Sequence, residues 1–220
     1  MKTKTHSLLS TLGALAGAIA LLATPARAVS VAHITLDTSS LIGHPAGPFY
    51  LDFQLNDGSG FGDGNNTAFV SAIDFGGGSA VAGTENAFGG VSGSLLSGLS
   101  LTDTSAFNEC FQQFVPGASL TFDVHLTTNV SGLVPDLFAF TILDADMYNI
   151  PTTSLGSDPL LSITLDGASP TIATFSGTSI AIPAPHVPDH ASTGLLVVAA
   201  FAGLVACGRR ARTGAPRAAA

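Results

Sequence analysis

The sequence predicts an all-β protein whose central domain is a single antiparallel β-sandwich with a jelly-roll-like arrangement. In residues 49–55, 120–126 and 161–165, apolar side chains alternate with polar ones. That period of two suits a strand with one buried face and does not suit a helix. Turn-forming sequences such as Asn56-Asp57-Gly58 and Asp166-Gly167 separate the candidate strands. No twelve-residue window of the domain has convincing helical periodicity with caps.

Six further short segments complete the predicted sandwich. They are residues 29–35, 68–75, 95–101, 137–143, 171–175 and 179–183. Eight to ten short strands at this spacing are typical of a sandwich, with one face of each sheet inward and the other in water. The glycine-rich residues 76–98 are the least strand-like part, and we expect a long surface loop there. The domain therefore spans residues 29–182.

The N-terminus has the three parts of a secretory signal peptide. Lys2 and Lys4 form a basic region, residues 8–23 are apolar, and Ala26-Arg27-Ala28 is an A-x-A cleavage site. The pattern predicts a signal-peptide helix within residues 1–28, removed at Ala26 and Ala28 to leave Val29 first. An uncleaved membrane anchor is the weaker alternative.

The C-terminus also has three parts. Residues 183–193 form a spacer with three prolines in its first six residues, which predicts an extended segment that holds the C-terminal end of the chain away from the sandwich. Residues 194–208 form an apolar helix, and residues 209–220 a basic cytoplasmic tail that begins with the membrane stop Arg209, Arg210 and Arg212. Fifteen helical residues cover only about 22 Å of a hydrocarbon layer about 30 Å thick. Such a marginal span suits a segment held in the membrane only until it is cut.

This tail resembles the PEP-CTERM class of bacterial sorting signals, in its VPDSG variant. The matching residues are Val187, Pro188, Asp189, Ser192 and Thr193, whereas His190 and Ala191 replace the variant's usual Ser-Gly. The resemblance implies recognition by an exosortase-type membrane transpeptidase, in Gram-negative bacteria that make extracellular polysaccharide. An ordinary C-terminal anchor is the alternative.

The domain is similar to a group of short proteins that carry this tail and have no assigned biochemical activity. The resemblance lies in residues 49–60, 62–67, 143–144 and 150–153, and it covers most of the domain. The resemblance implies where the protein is located, but it does not imply any biochemical activity.

The charges are segregated along the chain. All seven Lys and Arg lie at or before position 27 or at or after position 209, and all fifteen Asp and Glu lie from Asp37 to Asp189. No domain carboxylate therefore has a Lys or Arg partner, so each must be solvated, hydrogen-bonded or bound to a cation. A domain without ammonium or guanidinium groups excludes nucleic acid, phosphorylated ligands and acidic membrane surfaces as direct partners.

Residues 57–67 have the oxygen density of a calcium loop. Hard cations require several oxygen ligands from a tightly turning chain, and glycine permits such turns. The loop does not fit the EF-hand pattern, however. If such a loop began at Asp63, its sixth position would require glycine but holds Ala68, and no Glu closes the loop. We favour a plain hairpin loop, with Ca²⁺ as the only cofactor left open. Asp144 and Asp146 are a weaker candidate that is explained equally well by a strand end.

No arrangement predicts catalysis, so we expect a protein that is not an enzyme. Glu85 and Glu109 are the only Glu residues and would be the only glutamate pair for a glycosidase, but nothing in the sequence fixes their separation. Three histidines lack any zinc-binding spacing; they are His33, His44 and His125. Cys110, the only domain cysteine, is expected to be a small buried hydrophobic residue.

These features predict an exported protein, anchored transiently in the inner membrane and then processed to the cell surface or the extracellular matrix. We expect a structural or adhesive role associated with exopolysaccharide. The alternative is a calcium-assisted glycan-binding module. The absence of Trp, with only Tyr50 and Tyr148 as tyrosines, weakens this alternative without excluding it.

Overall fold

The computed structural model describes residues 29–130, 133–167 and 170–188, which form an antiparallel β-sandwich. The predicted class is confirmed, while the two predicted flanking helices lie outside the described residues. The strands are β1 (Val29–Asp37), β2 (Phe49–Asn56), β3 (Thr67–Asp74), β4 (Ser79–Ala80), β5 (Asn86–Phe88), β6 (Gly90–Ser94), β7 (Gly98–Thr102), β8 (Phe107–Val115), β9 (Ser119–Thr127), β10 (Asp136–Leu143), β11 (Leu161–Leu165) and β12 (Thr171–Thr174). A single 3₁₀ turn, Ser39–Leu41, interrupts the described strands.

The strands form two sheets in which every pairing is antiparallel. The five-stranded sheet has the order β1-β9-β3-β7-β6, and the seven-stranded sheet has the order β12-β11-β10-β2-β8-β4, with β5 also paired to β8. Most connections pass from one sheet to the other, as a jelly-roll-like arrangement requires. Strands β2, β9 and β10 lie inside their sheets, and their inward apolar side chains meet between the two sheets.

The core is centred on three phenylalanine rings from these interior strands. The ring centroid of Phe53 is 5.4 Å from that of Phe122 in the opposite sheet and 5.0 Å from that of Phe140 in its own sheet. Phe122 and Phe140 also pack edge to face, with centroids 5.1 Å apart. All three rings are fully buried, so most of the stabilisation comes from apolar burial between the sheets.

Strand β8 is a nine-residue strand that hydrophobic alternation failed to predict. Its inward positions include Asn108, Cys110 and Gln112, so its buried face is only partly apolar. The polar side chains on this face have hydrogen-bond partners on neighbouring strands and loops. The Asn108 Nδ2 donates to the backbone oxygens of Leu55 (3.0 Å) and Ser105 (2.7 Å). A pattern search based on apolar residues misses such a strand because hydrogen bonds replace part of its apolar face.

The surface loop predicted for residues 76–98 is wrong. This stretch contains β4 and β5, which pair with β8, and β6, which pairs with β7. The glycines permit close backbone approach rather than flexibility: a Cβ at Gly78 would lie 2.0 Å from the Val115 carbonyl oxygen. The strand predicted for residues 179–183 is absent from the described structure, although Ile180 and Ile182 are buried in the core.

The proline-rich segment after the domain lies on the sandwich, which corrects the expectation that it projects away. The Thr35 N–H donates to the His186 carbonyl at 3.0 Å, and the His186 N–H donates to the Thr35 carbonyl at 2.8 Å. Pro185 is buried, and Val187 packs against the core. The physical reason is that β1 is an edge strand whose free backbone groups are satisfied in part by this extended segment.

We expect Val187→Ser to loosen this segment without unfolding the domain. The change removes apolar contact with the core and should lower the free energy of unfolding by about 1 kcal/mol. Limited proteolysis should then cleave residues 183–188 faster than in the wild type. Ala184→Ser is the matched control because Ala184 is exposed. Equal cleavage rates in the two variants would contradict docking of the segment through Val187.

Candidate functional site

An acidic pair lies on the outer face of the seven-stranded sheet. Asp52 points outward from β2, between its cross-strand neighbours Thr141 on β10 and Phe111 on β8. It is nevertheless only 1% exposed. Its Oδ2 accepts a hydrogen bond from the Gln54 Nε2 at 2.7 Å, whereas its Oδ1 is buried and has no partner among the described residues. A carboxylate held in this way is poorly compensated.

The Gln54 side chain links Asp52 to a second carboxylate. Its Nε2 also donates to the Glu109 Oε1 at 3.2 Å, so one amide nitrogen bridges both acids. Burial, together with the charge of Glu109, raises the pKa of Asp52 to about 7. Burial also raises the pKa of Glu109. Near neutral pH this pair therefore favours a proton or another cation.

A groove of about 140 Å³ lies beside the acidic pair on the same outer face. We call it the outer groove. Its floor is formed by β2 and β10, and one wall by the segment between β10 and β11. Its lining residues are Gln54, Asn56, Leu137, Ala139, Thr141, Asn149, Ser157, Asp158 and Pro159. The outer groove thus combines amide, hydroxyl and carboxylate groups with a short apolar strip, in a volume smaller than the roughly 300–1,000 Å³ of most small-molecule sites.

A second polar cluster closes one end of the hydrophobic core. Each member lies two residues beyond the last inward-facing apolar residue at one end of its strand, so its side chain also points inward. The strands are β2, β3, β7, β9 and β10, and all the members are buried. We call this cluster the polar end layer; it consists of Asp57, Asn66, Asp103, Thr128 and Asp136. Burial and the neighbouring Asp136 raise the pKa of Asp103 to about 7, against a hydrogen bond from the Asn66 N–H that lowers it.

Asn66 holds the polar end layer together. Its Nδ2 donates to the Asp136 Oδ2 (2.7 Å) and to the Asn129 carbonyl (2.8 Å). Its Oδ1 accepts from the Asn129 N–H (2.7 Å) and the Thr127 hydroxyl (3.1 Å), and its own N–H donates to the Asp103 carboxylate. Both ends of the amide are therefore used, which makes this layer a connection between loops of the two sheets.

The candidate calcium loop is closed by its own backbone. The Asp57 carboxylate accepts hydrogen bonds from the Ser59, Gly62 and Asp63 N–H groups and from the Ser59 hydroxyl. Burial alone would raise the pKa of Asp57, but these hydrogen bonds outweigh it and lower the pKa. Among the described residues, no group of three or more His, Cys, Asp or Glu is placed to hold a metal ion. The Asp57 carboxylate is therefore engaged by its own loop, but this loop joins β2 of the seven-stranded sheet to β3 of the five-stranded sheet, so the predicted hairpin is wrong.

The weaker acidic candidate also has a local structural explanation. The Asp144 Oδ1 accepts hydrogen bonds from the Asp146 N–H and the Tyr148 N–H, both at 3.0 Å. Met147 in this turn has a φ of 63°, a left-handed conformation that such a turn requires. Asp144 therefore stabilises the turn that follows β10.

The two glutamates do not form a pair. The Glu109 side chain faces outward with Gln54, whereas the Glu85 Oε1 accepts from the Nε2 of Gln112, an inward residue of β8. Of the histidines, the His33 Nδ1 lies at hydrogen-bond distance, 2.6 Å, from the Asp123 Oδ1. His44 and His125 contact the rings of Phe49 and Phe69 respectively.

Cys110 is buried, as predicted. Burial and the charges of Asp52, Glu85 and Glu109 raise the pKa of its thiol to about 11. A thiol with so high a pKa is a poor nucleophile at neutral pH.

Most of the sequence-predicted signal residues lie outside the described residues. These are Ala26, Ala28, Asp189, Ser192, Thr193, Arg209, Arg210 and Arg212. Of the sorting motif, the structure places only Val187 and Pro188, both half-buried on the sandwich. Within residues 29–130, 133–167 and 170–188 there is no helix long and apolar enough to cross a membrane.

Sequence patterns missed both polar clusters. Asp52 occupies an outward position of its strand, which predicts solvation, whereas in the structure it is only 1% exposed. The polar end layer could have been found from the sequence. Asp57 and Asp103 lie two residues after the last inward apolar residue of β2 and β7, and Asn66 lies two residues before the first inward apolar residue of β3. Comparisons with models of protein families, with curated proteins and with solved structures found no match to this chain.

Proposed function

We propose that this chain is an exported, tail-processed protein of the cell surface or extracellular matrix, with a structural or adhesive role in association with exopolysaccharide. The observation that carries the proposal is the order of segments in the sequence. A signal peptide with the A-x-A site precedes the sandwich, and a sorting motif, an apolar run and an arginine cluster come after it. An exosortase-type transpeptidase is the proposed processing partner.

The charge distribution supports an extracellular, non-catalytic role. Every Lys and Arg serves one of the two terminal signals, and the domain between them carries only acidic side chains and histidines. Such a domain repels anionic polymers and remains soluble at high local concentration. Glu85 bonds the inward Gln112 and Glu109 bonds the outward Gln54, an arrangement that lends no support to a glutamate pair for hydrolysis.

Cell fractionation tests the proposed location. In the producing bacterium, the wild-type chain should be found at the surface or in the matrix, whereas a chain ending at Thr193 should be released from the cell after export. The chain with Asp146→Asn serves as a control that leaves both signals intact. Finding the wild-type chain in the cytoplasm, or finding identical distributions for the wild type and the shortened chain, would contradict the proposal.

A second candidate function is the calcium-assisted glycan-binding module, of which the outer groove supports the glycan-binding half only. Its amide and hydroxyl groups beside an apolar strip match the chemistry of sugar recognition. Calorimetry of the purified protein with Ca²⁺ and with secreted polysaccharide separates the candidates. A purely structural protein should give neither signal, and a calcium-assisted module should bind the polysaccharide only when Ca²⁺ is present.

A further inference from the structure

Both termini of the described chain are directed towards the same end of the sandwich. Val29, the first residue of β1, pairs with Thr127, the last residue of β9, and Thr128 of the polar end layer follows directly. The C-terminal segment pairs antiparallel with β1 through Thr35 and His186, so after His186 it runs back towards the level of Val29. We call this end, which the polar end layer closes, the tethered end.

The chain between the sandwich and either apolar terminal segment is short. Eight residues lead from His186 to Gly194, where the apolar run begins, and they reach at most about 29 Å when fully extended. Since β1 covers about 20 Å from Thr35 to Val29, the apolar run begins no more than about 10 Å beyond the tethered end. At the other terminus, only residues 24–28 separate the apolar part of the predicted signal peptide from Val29. A chain anchored by either segment therefore holds its tethered end close to the bilayer.

Two adjacent loops at the tethered end expose apolar side chains to water. Phe61, in the loop between β2 and β3, is 91% exposed, and Leu133, in the loop between β9 and β10, is fully exposed. Val130 and Val134 in the second loop are more than half exposed. The loops touch, because a Cβ at Gly58 would lie 2.2 Å from the Val134 carbonyl oxygen. We call these four exposed side chains the apolar tip; grouped apolar exposure of this kind marks an interaction surface.

The charges of the domain restrict the lipid that the apolar tip fits. Residues 29–188 contain no Lys or Arg, so an anionic bilayer repels this acidic domain, whereas a zwitterionic bilayer does not. Asp63, two residues after Phe61, is exposed, and its carboxylate accepts hydrogen bonds from the Asn65 N–H (3.1 Å) and the Asn65 Nδ2 (2.8 Å). Because a carboxylate is costly in hydrocarbon, the contact is shallow and reaches the boundary between headgroups and acyl chains.

We propose that the apolar tip seats the sandwich on the surface of a zwitterionic lipid bilayer while the chain is anchored. The proposal rests on the transient anchoring proposed above and adds to it the part of the domain that contacts lipid. With the tip seated, the segment docked on β1 through Val187 holds the start of the sorting motif within a few residues of the membrane surface. A membrane-embedded transpeptidase acts at that depth.

A single tryptophan tests the contact, because the chain contains no Trp of its own. The full chain with Phe61→Trp is reconstituted into phosphatidylcholine vesicles whose acyl chains carry bromine, a quencher of tryptophan emission. We expect the emission to shift to shorter wavelength and to lose several times more intensity than in the matched Tyr148→Trp variant. Tyr148 is also an exposed aromatic residue, 72% exposed, but it lies in the turn after β10, at the opposite end of the sandwich.

Flotation of the vesicles separates failure of this proposal from failure of the proposed anchoring. If the chain floats with the vesicles but Phe61→Trp is not quenched, or is quenched no more than Tyr148→Trp, the apolar tip does not contact lipid and the proposal is overturned, while anchoring by the tail stands. If the chain does not float, the transient membrane anchor is overturned and this proposal with it. Flotation with selective quenching of Phe61→Trp supports the proposal.

Discussion

Replacing Asn66 with alanine is expected to destabilise the sandwich by about 3–5 kcal/mol, because each buried polar group that loses its partner costs about 1–3 kcal/mol. Asn66 is fully buried and uses both ends of its amide. The substitution leaves the Asp136 carboxylate without one donor and leaves the Asn129 N–H without its acceptor. The loops that connect the two sheets at the polar end layer should loosen together.

Urea unfolding of the purified protein measures this effect. Asn86→Ala is the matched control, because Asn86 is exposed and makes one side-chain hydrogen bond of 3.3 Å. Its free energy of unfolding should change by less than about 0.5 kcal/mol. If Asn66→Ala were no more destabilising than Asn86→Ala, the polar end layer would not be a stabilising network.

Replacing Asp52 with asparagine is expected to stabilise the protein at pH 8. Folding raises the pKa of Asp52 from 3.8 to about 7, so the folded state favours the protonated acid. The stability contributed by this group is therefore full below pH 3.8, falls as the pH rises towards 7, and stays low above it. The penalty at pH 8 is on the order of 2–4 kcal/mol. Asparagine cannot ionise and still accepts the Gln54 hydrogen bond.

Unfolding at two pH values isolates the contribution of Asp52. We expect Asp52→Asn to exceed the wild type in unfolding free energy by about 1–3 kcal/mol at pH 8, allowing for an imperfectly paired amide, and not to exceed it at pH 3. Asn86→Ala is the control: Asn86 is exposed and not ionisable, so the difference of this variant from the wild type should be the same at both pH values. A constant difference between Asp52→Asn and the wild type at both pH values would contradict the raised pKa.

Strict alternation was sufficient to predict the strands that build the core. β2, β9 and β11 match the predicted segments closely, because their inward positions are uniformly apolar. Alternation failed where hydrogen bonds replace apolar contacts, as at Asn108 in β8, and where glycines hide short paired strands, as in β4 to β6. These strands depend on partners distant in the sequence, which a local pattern does not contain.

The outer groove could not be predicted from local sequence patterns for a related reason. One wall of the outer groove is a segment far away in the sequence, between β10 and β11, which lies beside β2 and β10. The docking of Val187 depends similarly on the free edge of β1, which only the strand order reveals. Charge segregation, by contrast, is a property of the sequence alone, and it remains the strongest constraint on what the domain binds.

The proposed removal of two terminal signals from a purely acidic sandwich is tested most directly by intact-mass measurement of the protein recovered from the outside of the producing cells. We expect a product that begins at Val29 and lacks residues 194–220. A recovered mass that still includes residues 194–220 would contradict processing at the sorting motif, and a mass that still includes residues 1–28 would contradict removal of the signal peptide.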